Sequence, residues 1–215
     1  MGKLFLTGLT NRFVKYCEDT NLYSDFQNAF RKNRLTVESL LALVFVRQLT
    51  KYRRNHGRRV YGGLIDIKKA CPSINRETLL EKMAASGFSK KFVDLIVSMF
   101  NKDTYSVLTN GEILQVEKFT SGSSEGSSPS PGFFILVFDE VVRALGLDPD
   151  DPVILGVRCG IEAYADDLVA LSTHYRQAVF SVHLLISSRH FLRRWASKSM
   201  LIKPRLSSST HVTRR

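Results

Sequence analysis

Residues 161–171 read IEAYADDLVAL, with two adjacent aspartates, Asp166 and Asp167, between apolar residues that would otherwise form a buried strand. A solvated hairpin turn explains such a pair, because Asp is common in turns that interrupt hydrophobic runs. A metal site explains it too, because neighbouring carboxylates repel each other unless a cation lies between them. The stretch predicts two strands with a tight connection, and it leaves both explanations of the acids open.

Size and charge narrow the class of protein. The chain has 215 residues and 44% hydrophobic content, enough for one sizeable packed domain. Lys and Arg outnumber Asp and Glu by 31 to 20, giving a net charge of +11, which favours a polyanionic partner such as nucleic acid. Three widely spaced cysteines suggest neither a disulfide framework nor a zinc site, and fit a reducing intracellular compartment. No apolar run is long enough to predict a membrane span or a signal peptide.

Apolar residues recur at helical spacing in six segments. These segments cover about residues 4–17, 36–52, 75–87, 89–100, 133–145 and 177–195. Asn75 and Ser89 are the predicted N-caps of the third and fourth helices, and Gly87 is a predicted stop. From residue 203 the pattern dissolves into Ser and basic residues, which predicts a disordered tail over 203–215.

Strand signals lie between these helices. RVYGGLIDIK (59–68) predicts a buried strand that ends near Asp66, and residues 104–119 predict a β-ribbon that turns at Asn110-Gly111. VILGVRCGIEAY (153–164) and LVALS (168–172) predict the two strands beside Asp166 and Asp167. By composition alone, TSGSSEGSSPSPG (120–132) would be a flexible linker. Helices flanking a small antiparallel sheet predict an α+β domain.

The acidic residues of these strands could meet. If the strand that ends near Asp66 neighbours the hairpin of Asp166 and Asp167, three carboxylates converge at one end of the sheet. Oxygen ligands of this type suit Mg²⁺, which is often completed by substrate phosphates. Two such ions about 4 Å apart can activate a 3′-hydroxyl and stabilise a leaving pyrophosphate. The pattern therefore indicates polymerase chemistry, which suits a basic protein.

Five segments resemble the motifs of reverse transcriptases, in the family's order. They are SDFQNAFRKNRLTVESL (24–40), LIDIKKACPSINRETL (64–79), GSSEGSSPSPGFFILVFDEVVRAL (122–145), AYADDLVAL (163–171) and RRWASKSMLIKP (193–204). The amino-acid sequences of these segments are most similar to those of LINE-like, non-LTR retrotransposon enzymes. The resemblance implies a single partial right-hand domain with the thumb largely missing. Fingers and palm helices would come from about 1–58 and parts of 75–120, and the palm core from 59–74 and 120–200.

The resemblance also implies site residues. Asp66, Asp166 and Asp167 would be catalytic and bind two Mg²⁺ ions, or Mn²⁺, with the backbone of Ile67 beside them. The implied partners are an RNA template, a DNA primer and dNTP. The residues implied to contact the substrate are Arg31, Arg34, Ile67, Cys71, Glu125, Gly126, Tyr164 and Lys203.

Four positions differ from the family's pattern. Cys71 replaces the bulky aromatic that screens the sugar 2′-hydroxyl, so discrimination against ribonucleotides should loosen. Pro72 lacks a backbone donor and is expected to distort the turn. Ser124 and Glu125 stand where Arg and Gln are usual, and an acid there would face the negative charge of the nucleotide.

Three hypotheses about function remain open at this point. The chain is a working RNA-directed DNA polymerase domain, or a degenerate copy that keeps the fold and the metal-binding aspartates. The third hypothesis is a basic nucleic-acid-binding module without chemistry, against which three converging acids argue.

Overall fold

The structure is a computed structural model that describes most of the chain. The described residues are 2–32, 34, 44, 47–48, 51, 60–68, 70–110, 112–118, 121–123, 127–145, 151–154, 157–176 and 201–208. The predicted helix over 177–195 lies outside them, as does the helix over 36–52 except at 44, 47–48 and 51. Ser124, Glu125 and Gly126 also lie outside.

Helices and strands are largely segregated along the described chain, with a four-stranded antiparallel sheet, which confirms the predicted α+β class. The helices are α1 (Gly2–Asp19), α2 (Arg76–Ala85), α3 (Lys90–Lys102) and α4 (Ser130–Leu145), with a 3-10 helix at Cys71–Ser73. The strands are β1 (Tyr61–Lys68), β2 (Thr104–Thr109), β3 (Glu112–Lys118), β4 (Val153–Ile154), β5 (Val157–Arg158), β6 (Ile161–Tyr164), β7 (Asp167–Ser172) and β8 (Leu201–Ser208). None of the helices in these ranges is long and apolar enough to cross a membrane.

Local sequence signals set the helix boundaries. The side chain of Asn75 accepts a hydrogen bond from the Thr78 amide at 3.2 Å, and Ser89 caps α3 in the same way through Phe92. Gly87 follows α2 with φ of 81°, a left-handed conformation that glycine adopts at little cost. The predicted N-caps and the stop are therefore confirmed.

Within the described residues, the main sheet has four antiparallel strands in the order β6-β7-β1-β8. Two further hairpins stand apart from it, β2 with β3 and β4 with β5. The β2-β3 hairpin turns at Asn110, whose φ is 53°, and confirms the predicted β-ribbon.

An apolar core joins the helices to the main sheet. Phe13 of α1 is fully buried. Its ring stacks on that of Phe88, with 5.3 Å between the ring centroids, and forms an edge-to-face contact with Phe133 of α4, with 5.0 Å between the centroids. Leu136 of α4 and Ile67 of β1 belong to the same core. Helix α4 is buried along most of its length, because nearly all of its residues from 133 to 142 are apolar.

Two predictions about the chain's organisation need correction. The segment 153–164 is divided into the β4-β5 hairpin and β6, instead of forming one strand. Residues 203–208 belong to strand β8 and pair with β1, whereas a disordered tail was predicted from residue 203. Pro204 is accommodated because β8 is an edge strand, where a missing N–H costs little.

Candidate active site

Strands β1 and β7 bring the predicted acidic residues to the same end of the sheet. Their register places Asp66 opposite Asp167, and the amide of Ile67 donates to the carbonyl of Asp166 at 3.2 Å. Tyr164 pairs with Asp167, which leaves Ala165 and Asp166 as a two-residue turn between β6 and β7. The predicted adjacency of the two strands is therefore confirmed.

Strand β8 adds a basic residue to this row. Lys203 pairs with Asp66 on the side of β1 away from β7, so positions 167, 66 and 203 are consecutive across three strands. The sequence pattern linked Lys203 to the site only loosely, because its position depends on pairing with a strand more than 130 residues earlier. The register thus provides one basic position directly beside the acids.

The residues at this sheet end fit a divalent cation. Acidic residues directly opposite each other in an antiparallel pair are unfavourable, so the Asp66–Asp167 register favours a bound positive charge. Carboxylate oxygens are the donors that Mg²⁺ and Mn²⁺ prefer. Among the side chains that the structure describes, no three His, Cys, Asp or Glu form a metal-binding group, and the side chain of Asp66 lies outside that set. The backbone register is therefore the feature that favours a cation at this sheet end.

The turn that carries Asp166 is held by a residue that the sequence analysis did not single out. The side chain of Gln27 is fully buried; its Nε2 donates to the carbonyl of Ala165 at 3.2 Å, and its Oε1 accepts from the Ala165 amide at 3.0 Å. SDFQNAF is mostly polar, so Gln27 does not stand out in the sequence, and nothing nearby indicates its partner.

Arg31 lies in a buried ion pair. Its Nη2 and Nε contact both carboxylate oxygens of Glu18, at 2.7 and 3.0 Å, and Nη1 donates to the carbonyls of Ser24 and Gln27. The hydrogen bonds to Glu18 raise the pKa of Arg31. With 7% of its side chain exposed, Arg31 is committed to holding residues 24–31, named below the Gln27 loop. Its contact with incoming phosphates stays a prediction, and this ion pair does not favour it.

Arg34 is better placed than Arg31 to bind an anion. Its Nη2 contacts Asp25 at 2.8 Å and its Nη1 donates to Asn28, with 33% of the side chain exposed. The Asp25 carboxylate is 88% exposed, and surface pairs of this type contribute little free energy. A phosphate could therefore replace Asp25 at low cost.

Cys71 follows β1 directly and is partly buried in the 3-10 helix. Its carbonyl accepts from the amide of Ser123 at 3.0 Å, and the carbonyl of Ile74 accepts from the amide of Gly122 at 2.8 Å. Pro72 lies in the first turn of that helix, where proline is tolerated, so the expected distortion is absent from this turn. The start of the Ser/Gly stretch is thus fixed against the segment that follows Asp66.

Comparison with known proteins identifies the family. The chain matches the family model of reverse transcriptase (RNA-dependent DNA polymerase) over residues 6–205. The chain belongs to the reverse transcriptase family. Reverse transcriptases use divalent metal ions, in keeping with the donors at the sheet end.

Two retrotransposon proteins are similar to this reverse transcriptase chain. It is 27% identical over 135 residues to the retrovirus-related Pol polyprotein from type-1 retrotransposable element R2 of Popillia japonica. It is 29% identical over 126 residues to the Pol polyprotein from type-2 retrotransposable element R2DM of Drosophila melanogaster. The alignments cover 62% and 55% of the chain but only 22% and 11% of those proteins. Both matches support the resemblance to non-LTR retrotransposon enzymes.

Solved structures confirm the right-hand polymerase fold. Telomerase from Candida tropicalis, in complex with a fragment of telomeric RNA, aligns with a TM-score of 0.66 and 14% identity over 94% of the chain and 33% of the telomerase. A truncated apo form of the same enzyme aligns with a TM-score of 0.64 and 13% identity, over 97% and 41%. At such identity the likeness supports the fold alone.

Proposed function

We propose that this chain is the palm and fingers of an RNA-directed DNA polymerase that adds dNTP to the 3′-hydroxyl of a primer. One observation carries the proposal: the register sets Asp66 opposite Asp167 and beside the turn of Asp166, in a chain of the reverse transcriptase family. A polymerase needs acidic residues from separate segments at one point, and the β1-β7 pairing supplies them.

The three aspartates would hold two Mg²⁺ ions, or Mn²⁺, together with the carbonyl of Ile67. When bound, the ions would activate the 3′-hydroxyl and stabilise the leaving pyrophosphate. The amide of Ile67 already donates to Asp166, so it supports the turn and is not available to the triphosphate. Asp166 is held from one side by β1 and from the other by the rest of the hairpin.

Other residues would contact the substrate. Arg34, with its weakly held guanidinium, would bind phosphate oxygens. Tyr164 would support the hairpin beside the primer end, and Lys203 would contribute positive charge next to Asp66. Cys71 would leave room beside the sugar of the nucleotide. Glu125 and Gly126 would contact the template and the nucleotide.

The proposed partners are an RNA template, a DNA primer and dNTP, inside the cell. The net charge of +11 suits a nucleic-acid duplex. The relatives named above are Pol polyproteins of retrotransposable elements, and one structural neighbour was solved with telomeric RNA. These likenesses support an RNA template for this chain.

The test is nucleotide incorporation by the purified chain on a primed RNA template. We expect incorporation that depends on Mg²⁺ or Mn²⁺ and that falls by at least about 1,000-fold in Asp166→Asn, because the neutral amide cannot hold the ions. The matched control is Asp94→Asn on α3, which should leave incorporation unchanged because the exposed Asp94 carboxylate forms a surface ion pair with Lys90 at 2.8 Å.

Absence of incorporation above the level of Asp166→Asn would contradict the polymerase proposal. A second candidate is a degenerate copy that keeps the fold and the metal site. It is favoured by the departures from the family's pattern at Cys71 and Glu125, and by the ion pair with Glu18 that already holds the Arg31 guanidinium. That candidate predicts Mn²⁺ binding that is lost in Asp166→Asn, without incorporation by either protein.

A further inference from the structure

The side-chain amide of Gln27 connects the Gln27 loop to the turn of Ala165 and Asp166. Its Oε1 accepts from the amides of Ala165 and Ala29, at 3.0 and 3.1 Å, and its Nε2 donates to the carbonyl of Ala165 at 3.2 Å. The side chain is completely buried. A buried amide with both ends bound to backbone is a firm positional restraint, because releasing it would leave polar groups unsatisfied.

The turn needs such a restraint. Ala165 has φ of 55°, in the left-handed region that residues with a Cβ rarely occupy. A conformation of this kind persists only where the surroundings fix it, and it precedes Asp166 directly. Gln27 bonds both backbone polar groups of this strained residue.

The Gln27 loop is itself anchored. The carbonyl of Phe26 accepts from the amide of Ala163 at 2.9 Å, and the amide of Asn28 donates to the Ala163 carbonyl at 3.1 Å, so the loop runs beside β6 as a short parallel bridge. Behind it, Arg31 donates to two loop carbonyls and Glu18 of α1 holds Arg31.

A second anchor connects the start of the loop to α4. The amide of Ser24 donates to Asp139, which is buried and also accepts from Arg143 one turn later. Gln27 therefore acts from a loop that is fixed to two core helices, and not from a surface segment that could follow a movement of the turn.

We propose that Gln27 is a positioning residue that fixes the Ala165-Asp166 turn and thereby places the Asp166 carboxylate for metal binding. This inference rests on the proposed function and deepens it, since it names what holds one catalytic aspartate in place. Glutamine suits the position because a carboxamide supplies a donor and an acceptor from one side chain, whereas a carboxylate has no donor and a thioether has no donor and only a weak acceptor.

The test compares Gln27→Met with Gln27→Glu. Methionine keeps the volume of glutamine and removes both hydrogen bonds to Ala165, whereas glutamate keeps the acceptor for the Ala165 amide. Ser89→Ala is the control, because it removes the cap of α3 and destabilises the chain without touching the turn. Each variant is measured for hydrogen exchange at the Ala165 amide, for affinity for Mn²⁺ alone, and for kcat and KM with dNTP.

We expect faster exchange at Ala165 and weaker Mn²⁺ binding in Gln27→Met, with kcat reduced about 10- to 100-fold and KM for dNTP near the wild-type value. Gln27→Glu should keep the Ala165 amide protected and have an intermediate kcat. Ser89→Ala should change none of these quantities when they are corrected for the folded fraction.

Wild-type exchange at Ala165 in Gln27→Met would overturn the inference, and so would wild-type Mn²⁺ affinity. A wild-type chain that binds Mn²⁺ but incorporates no nucleotide would contradict the proposed function alone, because exchange and Mn²⁺ affinity still decide the role of Gln27. A wild-type chain that binds no Mn²⁺ would overturn both.

Discussion

Gly122 occupies a position where a side chain cannot be accommodated. Its φ is 76°, and a Cβ built on it would overlap the backbone of Pro72. This close approach lets Gly122 donate to the carbonyl of Ile74, which fixes the start of the Ser/Gly stretch beside the segment that follows Asp66. Gly126 of the same stretch was predicted to contact the substrate, whereas Gly122 serves contact between two parts of the protein.

Gly122→Ala should therefore destabilise the chain. We expect the free energy of unfolding in urea to fall by at least about 2 kcal/mol, from the left-handed backbone and the overlap together. Gly8→Ala is the matched control: Gly8 is an exposed residue inside α1 with open space around it, so alanine should stabilise by about 0.5–1 kcal/mol. Equal stability of Gly122→Ala and wild type would show that this contact is not formed in solution.

At the scale of elements, α1 packs on the core through a buried stripe that contains Leu9, Phe13 and Cys17, with Phe13 at its centre. Phe13 packs on Phe88 and Phe133, so it joins α1 to the region after α2 and to α4. The same helix carries Glu18, which holds Arg31 and through it the Gln27 loop. Loss of α1 packing would thus affect the turn of Ala165 and Asp166 indirectly.

Phe13→Ala should cost about 3–5 kcal/mol in the free energy of unfolding, because it leaves a cavity among buried rings. Phe5→Ala makes the same chemical change on the same helix at a side chain that is 54% exposed, and should alter stability by less than about 0.5 kcal/mol. The two variants are compared by urea denaturation. Similar losses in both would mean that α1 is not docked as the structure shows.

Local signals made some elements predictable from sequence. The caps at Asn75 and Ser89 and the turn at Asn110 depend on a few neighbouring residues, and the structure has all three. Strand β8 was missed because LIKPRLSS contains proline and polar residues, and its pairing partner β1 is far away in the chain. The β4-β5 hairpin was missed because two-residue strands have no detectable periodicity.

The residues of the candidate site were also predictable only where the sequence signal is local. The sequence predicted that Asp66 lies beside the hairpin of Asp166 and Asp167, because acids inside apolar runs are conspicuous, while the catalytic role of these residues stays a prediction. The role of Gln27 could not be predicted, since it depends on a partner 138 residues away. For Arg31, phosphate binding was implied by the family resemblance and stays a prediction, while the ion pair with Glu18 that gives it a structural partner could not be read from the sequence.

At the scale of the whole molecule, the excess of positive charge should determine RNA binding, whereas nucleotide incorporation should depend on the aspartates. With a net charge of +11, the chain should bind RNA through phosphate contacts that release counterions. If about five cations contact a single strand, the slope of log affinity against log salt is near −3.5, so a fourfold rise in salt should weaken binding about 100-fold. Fluorescence anisotropy with a labelled RNA measures this slope.

Asp66→Ala gives the decisive comparison in the same assay. Removing an acid cannot reduce attraction to phosphates, so RNA affinity and its salt slope should stay at or slightly above their wild-type values, while nucleotide incorporation should be lost. A binding module without chemistry predicts the same affinity for both proteins but no incorporation by the wild type. Affinity that does not change with salt would contradict both hypotheses, because the basic residues would then not contact phosphates.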